Sequence, residues 1–292
     1  MTRKIPEKIR KLYEKTSETV KKKYKETSVD YKHALYIGIG ALLISYLAVF
    51  LVDILNVFGA RSIMEHRAVP LLWNYLFGER GPIEMIQWIL LGAFTLTSTL
   101  LTINLRKKDR KKESIFWLLF AITGVLMIIE DIGNIRHFLF RELISVQWET
   151  VNILETIYFG LIALLPIIAV VKYGKQVFNK KNTTILLILG FIFYGSAAAL
   201  SGPLDLAETK YEVGESLYEI TIVMGGEELR EVYEESERRL EERSPGGEYV
   251  GIRYRLLDFL LEETLELLGV TMLLASAISY KQHLKNSKKT ER

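Results

Sequence analysis

The stretch LLDFLLEETLELLGVTMLLASAISY, residues 256–280, has the length of a membrane helix and yet carries Asp258, Glu262, Glu263 and Glu266. About 20 mostly apolar residues suffice to cross roughly 30 Å of hydrocarbon. Five further stretches meet that requirement: 34–54, 83–105, 114–135, 151–171 and 184–201. Composition agrees. The 292 residues are 49% hydrophobic and 25% charged, and the mean hydropathy is +0.16, as expected for apolar spans alternating with charged connections. The expected fold is all-α: a polytopic membrane protein, a six-transmembrane-helix bundle over 34–280.

Charge orients the spans. Residues 1–33 carry 11 basic and 5 acidic groups, 106–113 carry 6 and 2, 172–183 carry 4 and 0, and 281–292 carry 5 and 1. With six spans these segments fall on one side with 26 Lys and Arg, against 12 in 55–82, 136–150 and 202–255. Lys and Arg mark cytoplasmic loops, so both termini are expected in the cytoplasm of a cell-membrane protein. No Lys or Arg lies inside a span.

The soluble segments have their own patterns. In 1–33, Ile5, Ile9, Leu12, Thr16, Val20 and Tyr24 recur at helical spacing among basic residues, with Pro6 suited to a first turn. This describes an amphipathic helix lying on anionic lipid, or an ordinary cytoplasmic helix. Residues 281–292 form a basic cytoplasmic tail. Residues 202–255, between the fifth and sixth spans, hold 14 acidic and 7 basic groups and form an extracytoplasmic helical insertion. Its residues 226–243 read as a surface helix with Glu234–Arg238 and Glu235–Arg239 pairs four apart. Leu229, Val232, Tyr233, Ser236 and Leu240 form its apolar face. Glu234, Glu235 and Arg239 match the Glu-Glu-x-x-x-Arg pattern of intramembrane CAAX-type proteases in letters only, since that motif belongs inside a membrane helix.

Nine carboxylates remain within the spans: Asp53, Glu84, Glu130, Asp131, Glu155, Asp258, Glu262, Glu263 and Glu266. In the six-span topology all lie toward the outer ends of their helices. A charge at the centre of a membrane helix costs about 2.5–3.5 kcal/mol on insertion scales, so the deep ones must face a polar interior. At about 100° per residue, Asp258, Glu262 and Glu266 fall on one stripe, continued by Gly269, with Glu263 beside it. Glu130 shares a face with Thr123, Asn134 and His137, and Asn152 shares one with Glu155. Glu84, Gln87, Thr95, Ser98 and Thr102 make a narrow polar stripe on the second span, a candidate path.

Pointed at one another, these faces form an acidic cup open to the outside. Glu84, Glu130, Asp131, Glu155, Glu262, Glu263 and Glu266 are its candidate ligands for a divalent cation, Ca²⁺, Mg²⁺ or Mn²⁺, with neutral oxygens from Gln87, Asn134 and Asn152. The same acids are candidates for proton exchange, and His137 for either role. Alternatively they pair with Arg80, Arg136, Arg141, Arg253 or Arg255 from the loops. The residues 195–201 read as close helix packing.

Missing motifs narrow the field. The chain has no Cys, hence no disulfide or thiolate site. It has no His-Glu-x-x-His, no Gly-x-Ser-x-Gly, no phosphate-binding Walker loop and no Arg-rich voltage-sensor helix. Three functions stay open: cation transport or conduction, a metal-dependent enzyme acting on lipid-like substrates at the outer leaflet, and a non-catalytic receptor or assembly factor. The expected partners are membrane lipids and, for the N-terminal helix, anionic lipid. Nothing points to nucleic acid, and a homo-oligomer is compatible.

Overall fold

The computed structural model describes residues 30–133, 135, 138–139, 148–201, 207–243 and 251–290. The expected amphipathic helix of 1–33 lies outside these residues up to position 29. From position 30 the chain already belongs to the first span. The Asp30 carboxylate accepts the Lys32 N–H at 3.1 Å and starts α1, Tyr31–Val49. That bond holds the Asp30 carboxyl below its ordinary range.

A π-helical turn, Phe50–Ile54, extends α1, and a 3-10 turn, Val57–Met64, follows. Next come the short α2, Leu72–Leu76, then α3, Pro82–Arg106, and α4, Lys111–Gly133. Trp148–Ile168 is α5 and runs on through a π turn, Ala169–Tyr173. The short α6 is Lys175–Phe178, α7 is Lys181–Ser201 and α8 is Ala207–Arg243. Finally α9, Ile252–Arg255, a π turn, Leu256–Glu262, and α10, Glu263–Thr290, form one rod. Among the described residues the protein is all-helical, and five helices are long and apolar enough to cross a membrane: α1 with its π turn, α3, α4, α5 with its π turn, and α7. They carry exposed bands such as Leu43, Ile44 and Leu47 on α1 and Ile157 and Leu161 on α5. Faces of that size are stable in lipid rather than in water.

The sixth rod is the centre of the bundle. α10 packs on α7, α3 and α1, and Leu267, Val270, Thr271, Ala275, Ala277 and Tyr280 are wholly buried. Small residues set the approach. A Cβ on Gly38 would lie 2.0 Å from Thr271 Oγ1, and one on Gly190 would lie 2.9 Å from the Leu273 side chain. One on Gly269 would lie 2.7 Å from Tyr194. Close packing of this kind holds membrane helices together. In 195–201, where the sequence suggested such packing, Ala197 is buried while Gly195 has open space around it.

The described parts of the basic connections meet at one end. The Asp30 side chain meets Gln282. Arg110 donates to Glu113 at 2.8 Å through Nε and to the Tyr280 hydroxyl at 3.5 Å, while Tyr280 donates to the buried Glu113 carboxylate. Thr183 Oγ1 donates to Ser279 Oγ at 3.2 Å. The Arg110–Glu113–Tyr280 lock was not legible in sequence, because Glu113 reads as one more loop charge.

At the other end α8 folds into a hairpin. Gly226 breaks it at φ 68°, ψ −165°, a region open essentially to glycine alone. The arms run antiparallel: the Tyr218 and Tyr233 rings stack at 5.2 Å. Arg253 clamps both arms, paired with Glu215 on one and 3.8 Å from Glu237 on the other, with its guanidinium 4.3 Å from the Tyr218 ring centroid. The Glu215 hydrogen bond holds the Arg253 guanidinium above its usual value, against the effect of burial. The sequence reading found only the second arm. Its apolar face is as expected, with Leu229, Tyr233, Ser236 and Leu240 buried. Of its two charge pairs, Glu235–Arg239 forms at 2.8 Å, whereas Arg238 turns to Glu235 and Glu242.

The hairpin sits on the connection between α1 and α3. Glu228, near its tip, takes Asn56 Nδ2 at 2.9 Å and Arg61 at 3.1 Å. Arg239 Nη1 donates to the carbonyls of Glu65 and Arg67.

Gly38→Val is expected to lower the unfolding temperature in detergent by the equivalent of about 1–3 kcal/mol, the usual cost of overpacking. Gly40→Val, whose Cβ would meet nothing within 4 Å, is expected to leave it unchanged. Equal behaviour of the two variants would show that α1 does not pack on Thr271.

Candidate functional site

The embedded acids divide into two groups by what they touch. Asp53 and Glu84 serve the backbone. Both Asp53 oxygens accept N–H groups at the start of α2, Leu72 at 2.7 Å and Trp73 at 2.8 Å, and the side chain is 1% exposed. Glu84 lies in the first turn of α3 and takes the N–H of Arg80, whose φ of 59° is left-handed. These are end-capping roles.

One turn deeper on α3 stands Gln87, completely buried. Its Nε2 donates to Glu266 Oε2 on α10 at 2.6 Å and to Asp131 Oδ2 on α4 at 3.3 Å. One amide therefore bridges two carboxylates from two other helices. Glu263, one turn before Glu266, adds its charge to that of Glu266, Glu84 and Asp131, and one of its oxygens is buried without a hydrogen-bond partner. Tyr194 of α7 lies in the combined field of Asp131, Glu262, Glu263 and Glu266. Gly269 holds it there, since any side chain at 269 would displace the Tyr194 backbone.

Among the described residues no Lys or Arg forms an ion pair with Asp131, Glu263 or Glu266. Like charges a few ångströms apart in a low-dielectric interior repel strongly. The second Gln87 amide atom, Oε1, is also buried without a partner. The amide thus offers donors to ionised acids and an unused acceptor to a protonated one.

The remaining sequence candidates fall as follows. Glu130 (8% exposed) and Glu155 (3%) are buried, on α4 and α5, which pack together. Asp258 and Glu262 lie in the π turn, where i→i+5 bonding changes the advance per residue. The regular α-helical advance assumed for Asp258, Glu262 and Glu266 therefore does not hold there, although the Asp258 charge still acts on Glu263 and Glu266. Glu263 and Glu266, both in α10, share their field with Glu84. Asn134 and His137 lie outside the described residues, as does the side chain of Asn152. On α3, Thr95 and Thr102 bond to carbonyls of their own helix, at Leu91 and Ser98. Thr95 also packs where a Gly124 Cβ would be, so this part of the polar stripe lies in the contact between α3 and α4. Ser98 is completely buried, and its hydroxyl has no hydrogen-bond partner among the described residues.

Among the described residues no group of three or more His, Asp or Glu is arranged to hold a metal ion. Tyr194 is the cluster member that sequence reasoning missed. Its one signal was a phenol in a span otherwise built of apolar and small residues. Comparison with family models, curated proteins and solved structures finds no match for the chain.

Gln87→Leu keeps the bulk and removes the shared donor. It is expected to lower stability at pH 7 by roughly 1–3 kcal/mol for each carboxylate left without it. The loss should shrink at acidic pH, because a protonated acid does not need the donor. Thermal unfolding in detergent at pH 7 and pH 5 checks this, and an equal loss at both would mean that only packing is involved.

Proposed function

We propose that the chain is a cell-membrane protein of six spans, with both termini cytoplasmic and the 202–255 hairpin outside, and that it binds and passes a cation through the acids around Gln87. The cation favoured is a proton. The observation that carries this reading is the single amide shared by Asp131 and Glu266, with Glu263 and Tyr194 alongside and no ion-paired base among the described residues. Two acids on one donor have room for one proton between them, and that proton is coupled to both. A proton needs no multi-ligand shell, whereas Ca²⁺ or Mg²⁺ requires several oxygens around one point.

Support for the topology comes from charge and packing together. Among the described residues, the connections 106–113 and 172–183, the start of α1 and the end of α10 lie at the Glu113–Tyr280 end; their wealth of Lys and Arg assigns that end to the cytoplasm. The long rod from Ile252 to Thr290 completes the set of spans in this reading, its stretch from Leu267 to Tyr280 packed among α1, α3 and α7.

Proteoliposomes carrying a pH-sensitive dye test the activity. Proton flux driven by an imposed gradient is expected to fall roughly tenfold or more in Glu266→Gln and in Asp131→Asn, as for loss of a proton-transferring group. Thr99→Ala, which alters only an exposed threonine bonded to its own helix, should retain wild-type flux. Unchanged proton flux in both acid variants would rule the reading out. Flux of Mn²⁺ or Ca²⁺ that depends on the same acids would move the assignment from proton to metal.

A further inference from the structure

A cleft of about 460 Å³ opens at the hairpin end, away from the acid cluster. Its polar walls are His66, Arg67, Asn74, Arg243 and Arg255, and its apolar floor includes Val69 and Leu240. Among the described residues no carboxylate lines it, although the surrounding insertion is strongly acidic. Three guanidinium groups and an imidazole thus converge in a region where the net charge has the opposite sign.

The cleft is built rather than incidental. Arg239, paired with Glu235, donates through Nη1 to the carbonyls of Glu65 and Arg67 at 2.9 and 3.1 Å. That staple fixes the segment presenting His66 and Arg67 against the second hairpin arm. Tyr75 lies 5.2 Å under the Arg67 guanidinium and Phe259 lies 5.3 Å from that of Arg255, so both side chains are held by aromatic faces. Burial pushes the Arg255 guanidinium below its usual value, and Glu79, Asp258 and Glu237 counter this only in part. A half-buried cation gains from an anion that shares its site.

The height of the cleft matters too. Arg255 immediately precedes the apolar stretch 256–280, and the segment of Arg67 follows the outer end of α1. In the six-span reading this is the level of lipid phosphates. Guanidinium forks match the paired oxygens of phosphate better than ammonium does.

We propose that this cleft binds a phosphate group through Arg67, Arg243 and Arg255, presented either by an anionic lipid headgroup or by a soluble phosphate. The full chain purified in detergent tests it in two arms. Titration calorimetry with inorganic phosphate reads the soluble source. Native mass spectrometry with phosphatidylglycerol reads the lipid source. In at least one arm wild-type protein is expected to bind a single equivalent, with affinity reduced about tenfold in Arg255→Gln and in Arg243→Gln, the usual effect of losing one charge-assisted bond. Arg243 is exposed at a helix end, so its variant stands if Arg255→Gln fails to fold. Arg230→Gln, which removes a surface pair with Glu227, should bind as wild type does. Binding in the first arm alone assigns a soluble ion, and in the second alone a lipid. Absence of binding in both, or binding that the cleft variants leave unchanged, overturns the proposal. Neither readout depends on proton flux, so the two proposals fail separately.

Discussion

Ionised carboxylates in hydrocarbon must be enclosed, and enclosure dictates where each helix of this protein stands. The rod from Ile252 to Thr290 carries Asp258, Glu262, Glu263 and Glu266 in its first half, so it cannot sit at the rim. It is surrounded by α1, α3 and α7. Small residues help make that possible, because Gly38 lets α1 approach the rod closely and Gly190 and Gly269 do the same for α7. Glu266 then meets Gln87, which also holds Asp131. The apolar bands of α1 and α5 are left to meet the bilayer.

Both ends of the bundle are locked by charged side chains doing structural work. At one end the Glu113 carboxylate is satisfied by Arg110 and Tyr280. At the other, Asp53 holds the start of α2, and Arg253 joins the hairpin arms. These ion pairs and caps account for some of the acids that a sequence reading would assign to a site. Asp53 and Glu84 bind backbone N–H groups, which leaves Asp131, Glu263 and Glu266 as the residual, functionally interesting charge. A buried charge that no structural bond explains is the better guide to function.

Much of this was legible in the chain. Five of the expected spans fall within a few residues of a helix long and apolar enough to cross a membrane, because a run of about 20 apolar residues has few other stable conformations; the stretch 256–280 lies inside the longer rod from Ile252 to Thr290. Glu263, Glu266, Gln87 and Asp131 were all named in advance, since a polar group in a span is conspicuous against its neighbours. The first hairpin arm was missed because its acidic, exposed positions dilute the apolar spacing of Tyr218 and Ile222. Its partner arm showed a clean face.

Sequence alone determined the helical class, the approximate limits of the five long apolar helices and the one-signed charge of the expected spans. Each is a property of local composition and period. Tertiary structure decided which acids meet. The π turn at 256–262 changed the advance along the expected stripe, Gln87 chose Asp131 and Glu266 as its partners, and Gly269 brought Tyr194 to the cluster. Those outcomes depend on how far each helix is rotated and how closely it approaches its neighbours. Such quantities arise from packing between segments distant in the chain, and no local pattern encodes them.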